Sequence, residues 1–351
     1  MALAALLTAC SADNEAGSDV PSETSGQLIC FDVMPAWHQA KASKASSTRT
    51  PIVNYYDDFL ELPVQVSALF HADESSYFAD QRMTYNNTTE IWSTDKKYYW
   101  PLNDLDFYAH MPYNDTNLTP TANAKAFNYT TPTANSSQND FMYAVNYQVA
   151  KTNEAVQLNF LHALSAISFR ATTEGPTVSV VIKGIRLCNV KTQGTFTYPS
   201  SSTTGEDGGP VGTWSLGNTL GNLEAGITET TLSSAETLDV TSEDGVMTLI
   251  PQNLATAWDM TGKATEQAGG YLVINCRLID NGFYMAGSAD TFGDVYVPFS
   301  GNFEQGKHYT YTLTFGIGYD VEGKQNQIHL TMESTIIDWN RETINFDKFI
   351  L

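Results

Sequence analysis

Alternation of apolar and polar side chains with a period of two is the pattern that most limits how this chain can fold. Leu62, Val64, Val66, Ala68 and Phe70 alternate with Glu61, Pro63, Gln65 and Ser67, which is typical of a strand with one buried face. Similar runs recur along the chain, and clusters of Asn, Asp, Pro and Gly separate them. No amphipathic pattern is long enough for a three-turn helix, so the sequence predicts an all-β protein.

The alternating runs fall into two series. The first series of predicted strands comprises residues 28–33, 62–70, 77–85, 91–100, 105–112, 126–130 and 141–147. The second series comprises residues 156–160, 167–171, 178–190, 195–198, 237–240, 246–251, 271–279, 294–299 and 308–315. Apolar positions change parity between Phe160 and Ile167, which predicts a bulge or bend at residues 161–165. We therefore expect two β-sandwich domains, at residues 50–153 and 154–351.

The charge of the chain excludes some classes of partner. The 351 residues carry a formal net charge of −21, and only 16% of them are charged. Binding to nucleic acid needs surfaces rich in Lys and Arg, so we expect no nucleic-acid partner. Thr, Ser, Asn and Tyr are abundant, which favours an extracellular β-protein over a cytosolic helical enzyme. Beyond its first residues the sequence contains no apolar run near 18 residues, the length that a spanning helix needs.

The sequence also lacks the patterns that mark catalytic and metal sites. Its six histidines are scattered singly, and no Cys/His cluster, Gly-x-Ser-x-Gly, HExxH, P-loop or Rossmann glycine pattern occurs. We therefore expect no enzymatic activity, no cofactor and no metal site. Cys30, Cys188 and Cys276 lie in strand-like runs, either as small buried side chains or with two of them joined in a disulfide.

The first residues contain a lipidation motif. Leu7-Thr8-Ala9-Cys10 ends a run of small and apolar residues and precedes a polar stretch. The motif resembles a bacterial lipobox, in which signal peptidase cuts before a diacylated cysteine. At ~0.8 kcal/mol per buried methylene, three acyl chains hold a protein firmly on a membrane. Residues 1–9 are then the signal peptide and Cys10 the lipidated residue. Only nine residues without Lys or Arg precede Cys10, so we expect a misassigned start codon or a trimmed leader.

Residues 10–49 are expected to form a tether, a first strand and a cleavable linker. Residues 11–26 are acidic, small and aperiodic, which predicts a flexible tether. The strand at residues 28–33 follows it. The linker after the strand carries Lys41, Lys44 and Arg49 in an otherwise acidic protein. Such an exposed segment is a natural target for a trypsin-like protease.

The C-terminal segment is unusually apolar. Ile328, Leu330 and Met332 alternate with polar residues, and Ile344 and Phe346 follow. Chain termini are usually polar and frayed unless something holds them. These strands therefore need a partner, which is either their own sheet or another subunit.

Several segments, in order and over nearly the whole chain, resemble the fimbrillin-like family of Bacteroidales surface lipoproteins, which includes major and minor fimbrial subunits. Besides the lipobox, they are ICFDV at 29–33 followed by STRT at 47–50, FYAHMPY at 107–113, DFMYA at 140–144, VQLNFLHALS at 156–165, LIPQ at 249–252 and GKHYTYTL at 306–313. The resemblance implies two transthyretin-like β-sandwich domains. It also implies delivery to the outer membrane surface, followed by cleavage between Arg49 and Thr50 by an Arg-specific or trypsin-like protease.

The resemblance further implies assembly into a fimbria that supports adhesion, with other fimbrial subunits as partners. Cleavage would remove the first strand, which includes Ile29, Phe31 and Val33. A strand from another subunit would fill the groove, and its candidate residues are Ile328, Leu330, Met332, Ile344 and Phe346. The alternative is a monomeric, tip or anchor lipoprotein that binds a glycan or another surface ligand of the host or of bacteria. Candidate stacking residues for a glycan are Trp92, Tyr98, Tyr99 and Trp100.

Overall fold

The computed structural model describes residues 26–35, 56–122, 125–204, 209–233, 236–242, 244–259, 269–319, 325–338 and 344–345, with backbone alone at residues 56–58 and from residue 317 onward. The described residues form 25 strands, one short helix and one 3₁₀ turn at Asn135–Ser137. The prediction of an all-β protein is confirmed. Within this part of the chain, no helix has the length and apolar character needed to span a membrane.

The first half of the chain contributes nine strands and the helix. Their bounds are β1 Phe31–Pro35, α1 Tyr56–Glu61, β2 Val64–Phe70, β3 Ser76–Asn86, β4 Ile91–Thr94, β5 Leu105–Met111, β6 Leu118–Pro120, β7 Ala126–Thr130, β8 Met142–Val149 and β9 Val156–His162.

The second half contributes sixteen strands. Their bounds are β10 Ser165–Thr173, β11 Val178–Lys191, β12 Gln193–Thr197, β13 Thr213–Leu216, β14 Leu220–Glu224, β15 Thr230–Leu232, β16 Leu238–Asp239, β17 Met247–Leu249, β18 Gln252–Leu254, β19 Tyr271–Asp280, β20 Phe283–Ala286, β21 Gly293–Pro298, β22 Gly301–Phe303, β23 Lys307–Tyr319, β24 Gln325–Asp338 and β25 Ile344–Asn345.

The first strands close into a barrel with the order β1-β4-β3-β2-β5-β8-β9. Neighbouring strands are antiparallel at every described contact except that between β1 and β9, which is parallel. Alternate side chains fill the interior, as the period-two pattern requires. Val66, Phe107, Met111 and Phe160 are fully buried there.

The later strands form a two-sheet sandwich. One sheet has the order β16-β10-β23-β24-β25 with β17 beside β10, and the other has the order β14-β11-β19-β20 with β15 and β21 attached. The two sheets share one apolar core, which includes Phe169, Ile182, Leu272 and Phe315. Such face-to-face packing is the arrangement expected of a β-sandwich.

A small third sheet packs on the outside of the barrel. It has the order β13-β12-β7-β6, so strands from both halves of the chain meet in it. Its aromatic side chains pack on the outward faces of β5 and β8, and the cluster includes Tyr108, Tyr129, Tyr143 and Phe196. This cluster buries a second face of two barrel strands, which explains why β5 is buried at every position.

The connection between barrel and sandwich lies at Ala163 and Leu164, between β9 and β10. The Ala163 amide donates to the Phe141 carbonyl at 2.8 Å, and the Gly306 amide donates to the Leu164 carbonyl at 2.9 Å. The predicted bend at residues 161–165 is therefore present as a break between two strands. Because β9 pairs with β1 and β8, the first sheet extends past residue 153. The domain division at that residue stays a prediction.

Candidate functional site: the first strand and its groove

The first strand completes the barrel by lying between β4 and β9. Its five residues pair in parallel with β9, from Phe31 beside Val156 to Pro35 beside Phe160. On the other side, Phe31 pairs with Trp92 of β4. The backbone just before the strand is held in the same way, since the Ile29 amide donates to the Tyr98 carbonyl at 2.8 Å. Strand β1 is therefore an integral strand of the barrel wall.

The three residues named for the strand that cleavage would remove lie on the buried side of β1 and of the backbone just before it. Ile29, Phe31 and Val33 are buried in the barrel core, whereas Asp32 and Met34, which alternate with them, are partly exposed. The Phe31 ring packs edge-on against the Phe107 ring, with 5.7 Å between the centroids and an interplanar angle of 85°. Such edge-to-face pairs stabilise a core beyond the area that they bury.

The surroundings of β1 would form an apolar groove if the strand were absent. The cluster that contacts it includes Trp92, Trp100, Phe107, Leu158 and Phe160. Removing the strand would also leave the facing edges of β4 and β9 without partners. Exposed edges of this kind recruit other strands.

A helix that the sequence analysis missed closes part of this core. Phe59 of α1 is fully buried, and its ring lies 5.9 Å from Trp92 and 5.6 Å from Phe160. The helix has only six residues, too few for a helical period to stand out. Its one signal is the apolar pair Phe59-Leu60 within an otherwise polar segment. Because α1 follows the predicted cut, the helix would still cover this part of the core after cleavage.

Four of the five candidate donor residues lie in the described strands of the sandwich. Strand β24 pairs along its length with β23, so that Ile328 lies beside Ile317, Leu330 beside Phe315 and Met332 beside Leu313. Ile344 lies in β25, which pairs with β24. In this chain the C-terminal strands therefore pair within their own sheet, and their donation to another subunit stays a prediction. Cys10, Arg49, Thr50 and Phe346 lie outside the described residues.

The buried histidines occupy structural positions. Burial lowers the pKa of His110 to about 4, and its Nδ1 lies 3.2 Å from the Tyr198 hydroxyl in the aromatic cluster outside the barrel. His162 lies at the end of β9 with its Nδ1 at 3.0 Å from the Asp140 carboxylate. In the described ranges, no group of three or more His, Cys, Asp or Glu side chains is arranged to hold a metal ion.

The aromatic residues considered for glycan stacking do not form a platform. Trp92 and Trp100 are buried in the barrel core, and Tyr98 is partly buried with its ring stacked on Phe78 at 4.2 Å. Of the four, Tyr99 alone is exposed. The stacking hypothesis is wrong because both tryptophans are buried in the barrel core and are not accessible to a sugar.

Two of the three cysteines in the described residues lie in the sandwich. Cys188 and Cys276 are free and buried on β11 and β19. Of the two alternatives for the three described cysteines, a disulfide between two of them is therefore ruled out. Burial raises the pKa of Cys276 to about 12, and the negative charge of Asp294 adds to that shift.

The comparisons with known proteins agree with this architecture. A sequence profile of the family described as "Fimbrillin-like" matches residues 63–339. A fimbrial protein from Bacteroides vulgatus ATCC 8482 has a similar crystal structure, with a TM-score of 0.57, 15% identity, and coverage of 89% of this chain and 99% of that one. A candidate cell adhesion protein from Bacteroides uniformis ATCC 8492 gives a TM-score of 0.49 and 15% identity, with the same two coverages of 89% and 99%.

No curated protein sequence matches the chain. The profile spans well over half of the sequence, and this is sufficient to assign the family. That family is non-enzymatic, in agreement with the expectation drawn from the sequence. The chain belongs to the fimbrillin-like family.

Proposed function

We propose that this chain is a subunit of a cell-surface fimbria, delivered as a lipoprotein through Cys10, cut between Arg49 and Thr50, and polymerised by strand donation. The observation that carries the proposal is the position of β1. This strand closes the barrel between β4 and β9. The predicted cut lies between β1 and α1, so a single cleavage separates the strand from the rest of the barrel.

The energetics favour replacement of the lost strand. Burying an apolar side chain contributes roughly 1.5–3 kcal/mol, so a groove that takes four or five such side chains offers roughly 6–15 kcal/mol before the cost of ordering the donor. A donor strand also restores the hydrogen bonds of two sheet edges. The alternating apolar residues Ile328, Leu330 and Met332 supply the side-chain pattern that such a groove needs.

Strand directions favour a particular geometry of donation. Strand β1 runs along β9 toward the connection with the sandwich. Its groove therefore begins at the far end of the barrel, which is the end opposite that connection. Strand β24 begins beside Tyr319 and ends beside Lys307, which neighbours the connection through Gly306. If β24 detaches from the sheet, its first residue stays joined to the end of β23. The free strand therefore leaves from the end of the sandwich opposite the connection, which is its far end. It then enters the far end of the next barrel and runs parallel to β9, as β1 does.

This geometry generates a filament. The donor and the acceptor are different surfaces of the same chain, so the contact is heterologous and each subunit keeps one free donor and one free groove. Repeated donation therefore extends the assembly without closing it. Such a fimbria would lie outside the outer membrane and present its subunits for adhesion.

Cleavage is tested by the amino terminus of the protein at the cell surface. We expect a mature form that begins at Thr50 and forms SDS-resistant ladders, and we expect Arg49→Ala to abolish both. Lys44→Ala is the matched control, since it removes a basic residue of the same linker and should leave the ladders intact. Ladders from Arg49→Ala as abundant as those of the wild type would refute cleavage-dependent assembly.

Donation is tested with a peptide that covers residues 325–346. Added to freshly cut protein, it should fill the groove and stop ladder growth. A peptide with Leu330→Asp is the control, because it places a charge on the apolar face and should leave growth unchanged. Equal inhibition by both peptides, or inhibition by neither, would rule out this segment as the donor.

The pairing of the C-terminal strands within their own sheet favours a second candidate, which is an anchor, a tip subunit or a monomeric lipoprotein that binds a surface ligand. A chain whose terminal strands are already satisfied needs no acceptor. The same sequencing experiment separates the two functions. A mature form that begins only at acylated Cys10 supports the second candidate.

A further inference from the structure

We infer that the β19–β20 hairpin is a docking element for a second copy of this chain, and that it packs on the exposed apolar rim at the mouth of the β1 groove. The hairpin surface consists of Phe283, Tyr284 and Met285, and the rim consists of Tyr99 and Leu102. This inference rests on the proposed polymerisation and names the contact that accompanies it.

The hairpin presents its apolar residues on a rigid turn. Asn281 and Gly282 both have positive φ values, 46° and 84°, and Asp280 pairs with Phe283 across them. An Asn-Gly pair in this conformation forms the tight two-residue turn preferred in hairpins. The three residues that follow the turn are all exposed, and Phe283 is exposed over 75% of its surface.

Such a cluster has no role within the described fold. Exposed apolar residues are ordinary when scattered singly, but contiguous ones mark interaction sites. Strand β20 lies at the edge of its sheet, and neither Phe283, Tyr284 nor Met285 joins the sandwich core. The stiff turn lowers the entropy cost of docking, because the residues are already ordered before contact.

The rim lies next to the first strand. Tyr99 forms a β-bridge with Leu28, just ahead of β1, and the Trp100 amide donates to the Gln27 carbonyl at 2.8 Å. Leu102 follows in the loop before β5 and is exposed over 99% of its surface. Two exposed apolar side chains thus lie beside the mouth of the groove through which a donor would enter.

Strand directions bring these two surfaces together between molecules. Strand β19 runs antiparallel to β11 and ends beside Val178, the first residue of β11. This is the far end of the sandwich. Strand β10 runs from the connection to that end, and β11 begins there. The donor leaves from the same end and enters its acceptor at the rim. A second copy of the chain is therefore the occupant that fits, since donation already draws the two ends together.

Cysteine cross-linking tests the contact directly. Cut Leu102→Cys protein is mixed with cut Phe283→Cys protein under mild oxidation. The two native cysteines that remain after cleavage, Cys188 and Cys276, are buried. We expect a disulfide-linked dimer of the two variants. Leu220→Cys replaces Phe283→Cys in the control, because Leu220 is also exposed but lies beside Lys191, at the other end of β11.

The same samples are also examined for SDS-resistant ladders. The docking contact and strand donation are thereby tested independently of each other. Ladders with no cross-linking above the Leu220→Cys level overturn the docking contact and leave strand donation standing. Cross-linking without ladders supports docking and contradicts donation. Absence of both overturns the proposed assembly and the docking contact together.

A kinetic variant provides a second readout. Replacing Phe283, Tyr284 and Met285 by Ser should slow ladder growth by about tenfold or more, as expected for loss of a small cluster of interface anchors. Tyr296→Ser is the control, because Tyr296 is exposed on the same sheet but lies beside Val273, near the start of β19 and away from the hairpin. Equal growth rates for the triple variant and the wild type would overturn the inference.

Discussion

Phe31 packs edge-on against Phe107, 5.7 Å away between centroids, and this contact joins a strand ahead of the predicted cut to a strand in the middle of the barrel sheet. Phe107 is fully buried. The barrel core therefore depends on a segment that the proposed cleavage would separate from it. This dependence predicts different stabilities for the cut and uncut forms.

Phe31→Ala should lower the stability of the uncut chain alone. Truncating a buried Phe to Ala costs about 3–5 kcal/mol through lost burial and the cavity left behind. Once the first 49 residues are removed, residue 31 is no longer part of the protein and the substitution has no effect. Urea unfolding of both forms measures the difference.

Phe59→Ala is the matched control for that experiment. Phe59 is also buried and contacts Trp92 and Phe160 of the same core, but it lies after the predicted cut. It should destabilise the cut and uncut forms alike, by about 3–5 kcal/mol. If Phe31→Ala left the uncut chain as stable as wild type, β1 would not be a supporting element of the barrel.

Mild acid should destabilise the fold through two buried histidines. Burial lowers the pKa of both His110 and His308 to about 4, and the nearby His162 adds to the shift of His308. Below an unfolded pKa of about 6.5, the unfolded chain binds protons that the folded chain does not. The free energy of unfolding should therefore fall, by up to about 1.4 kcal/mol per pH unit for each histidine, as the pH drops from 6.5 toward 4.

The variants His110→Gln and His308→Gln isolate this effect. Each removes one titrating group while keeping a polar side chain that can hydrogen-bond. Chemical unfolding at pH 7, 6 and 5 should give a shallower pH dependence for each variant than for wild type, and the shallowest for the double variant. Identical slopes in all four proteins would show that these histidines do not govern acid stability.

Gln138 holds the loop ahead of β8 against β17 of the sandwich. The buried side-chain oxygen of Gln138 accepts a hydrogen bond from the Thr248 backbone amide at 2.8 Å. Its side-chain nitrogen donates to the Pro132 carbonyl at 3.0 Å. Gln138→Leu should cost on the order of 1–3 kcal/mol for each buried group left unsatisfied. Gln157→Leu, at an exposed position on β9, should stay within about 0.5 kcal/mol of wild type. Equal unfolding midpoints for the two variants would contradict the proposed role of Gln138.

The two buried thiols should report on the opening of the sandwich. Burial raises the pKa of Cys188 as well as that of Cys276, and the thiolate is the reactive form. At pH 8, cut native protein should react with a thiol reagent at least roughly a hundredfold more slowly than a free cysteine. In guanidinium chloride, both thiols should react at the ordinary rate. Rapid labelling of native protein would mean that the sandwich opens readily.

Local strand patterns were the predictable part of this fold. The alternation at residues 62–70 corresponds to β2, and the parity change after Phe160 corresponds to the break between β9 and β10. Side chains that alternate along a strand depend on the two faces of one sheet, so a single sequence carries that information.

Long-range pairing was not predictable. Phe31 lies beside Val156, and Phe127 lies beside Phe196, yet no local pattern links segments so far apart in the chain. Strands β13 and β14 were missed because they are short and contain few apolar residues. Helix α1 was missed because six residues carry less than two helical turns.

The pairing of β1 with β9 of the same chain also affects which strand occupies the groove when a strand of another subunit competes for it. A strand tethered to its own barrel acts at an effective concentration on the order of millimolar, far above that of neighbouring molecules on a dilute surface. A foreign strand cannot displace it by mass action alone. If the chain assembles as proposed, cleavage by the protease and not the abundance of subunits sets the time at which a polymer forms, so that uncut chains accumulate without becoming committed to a fibre.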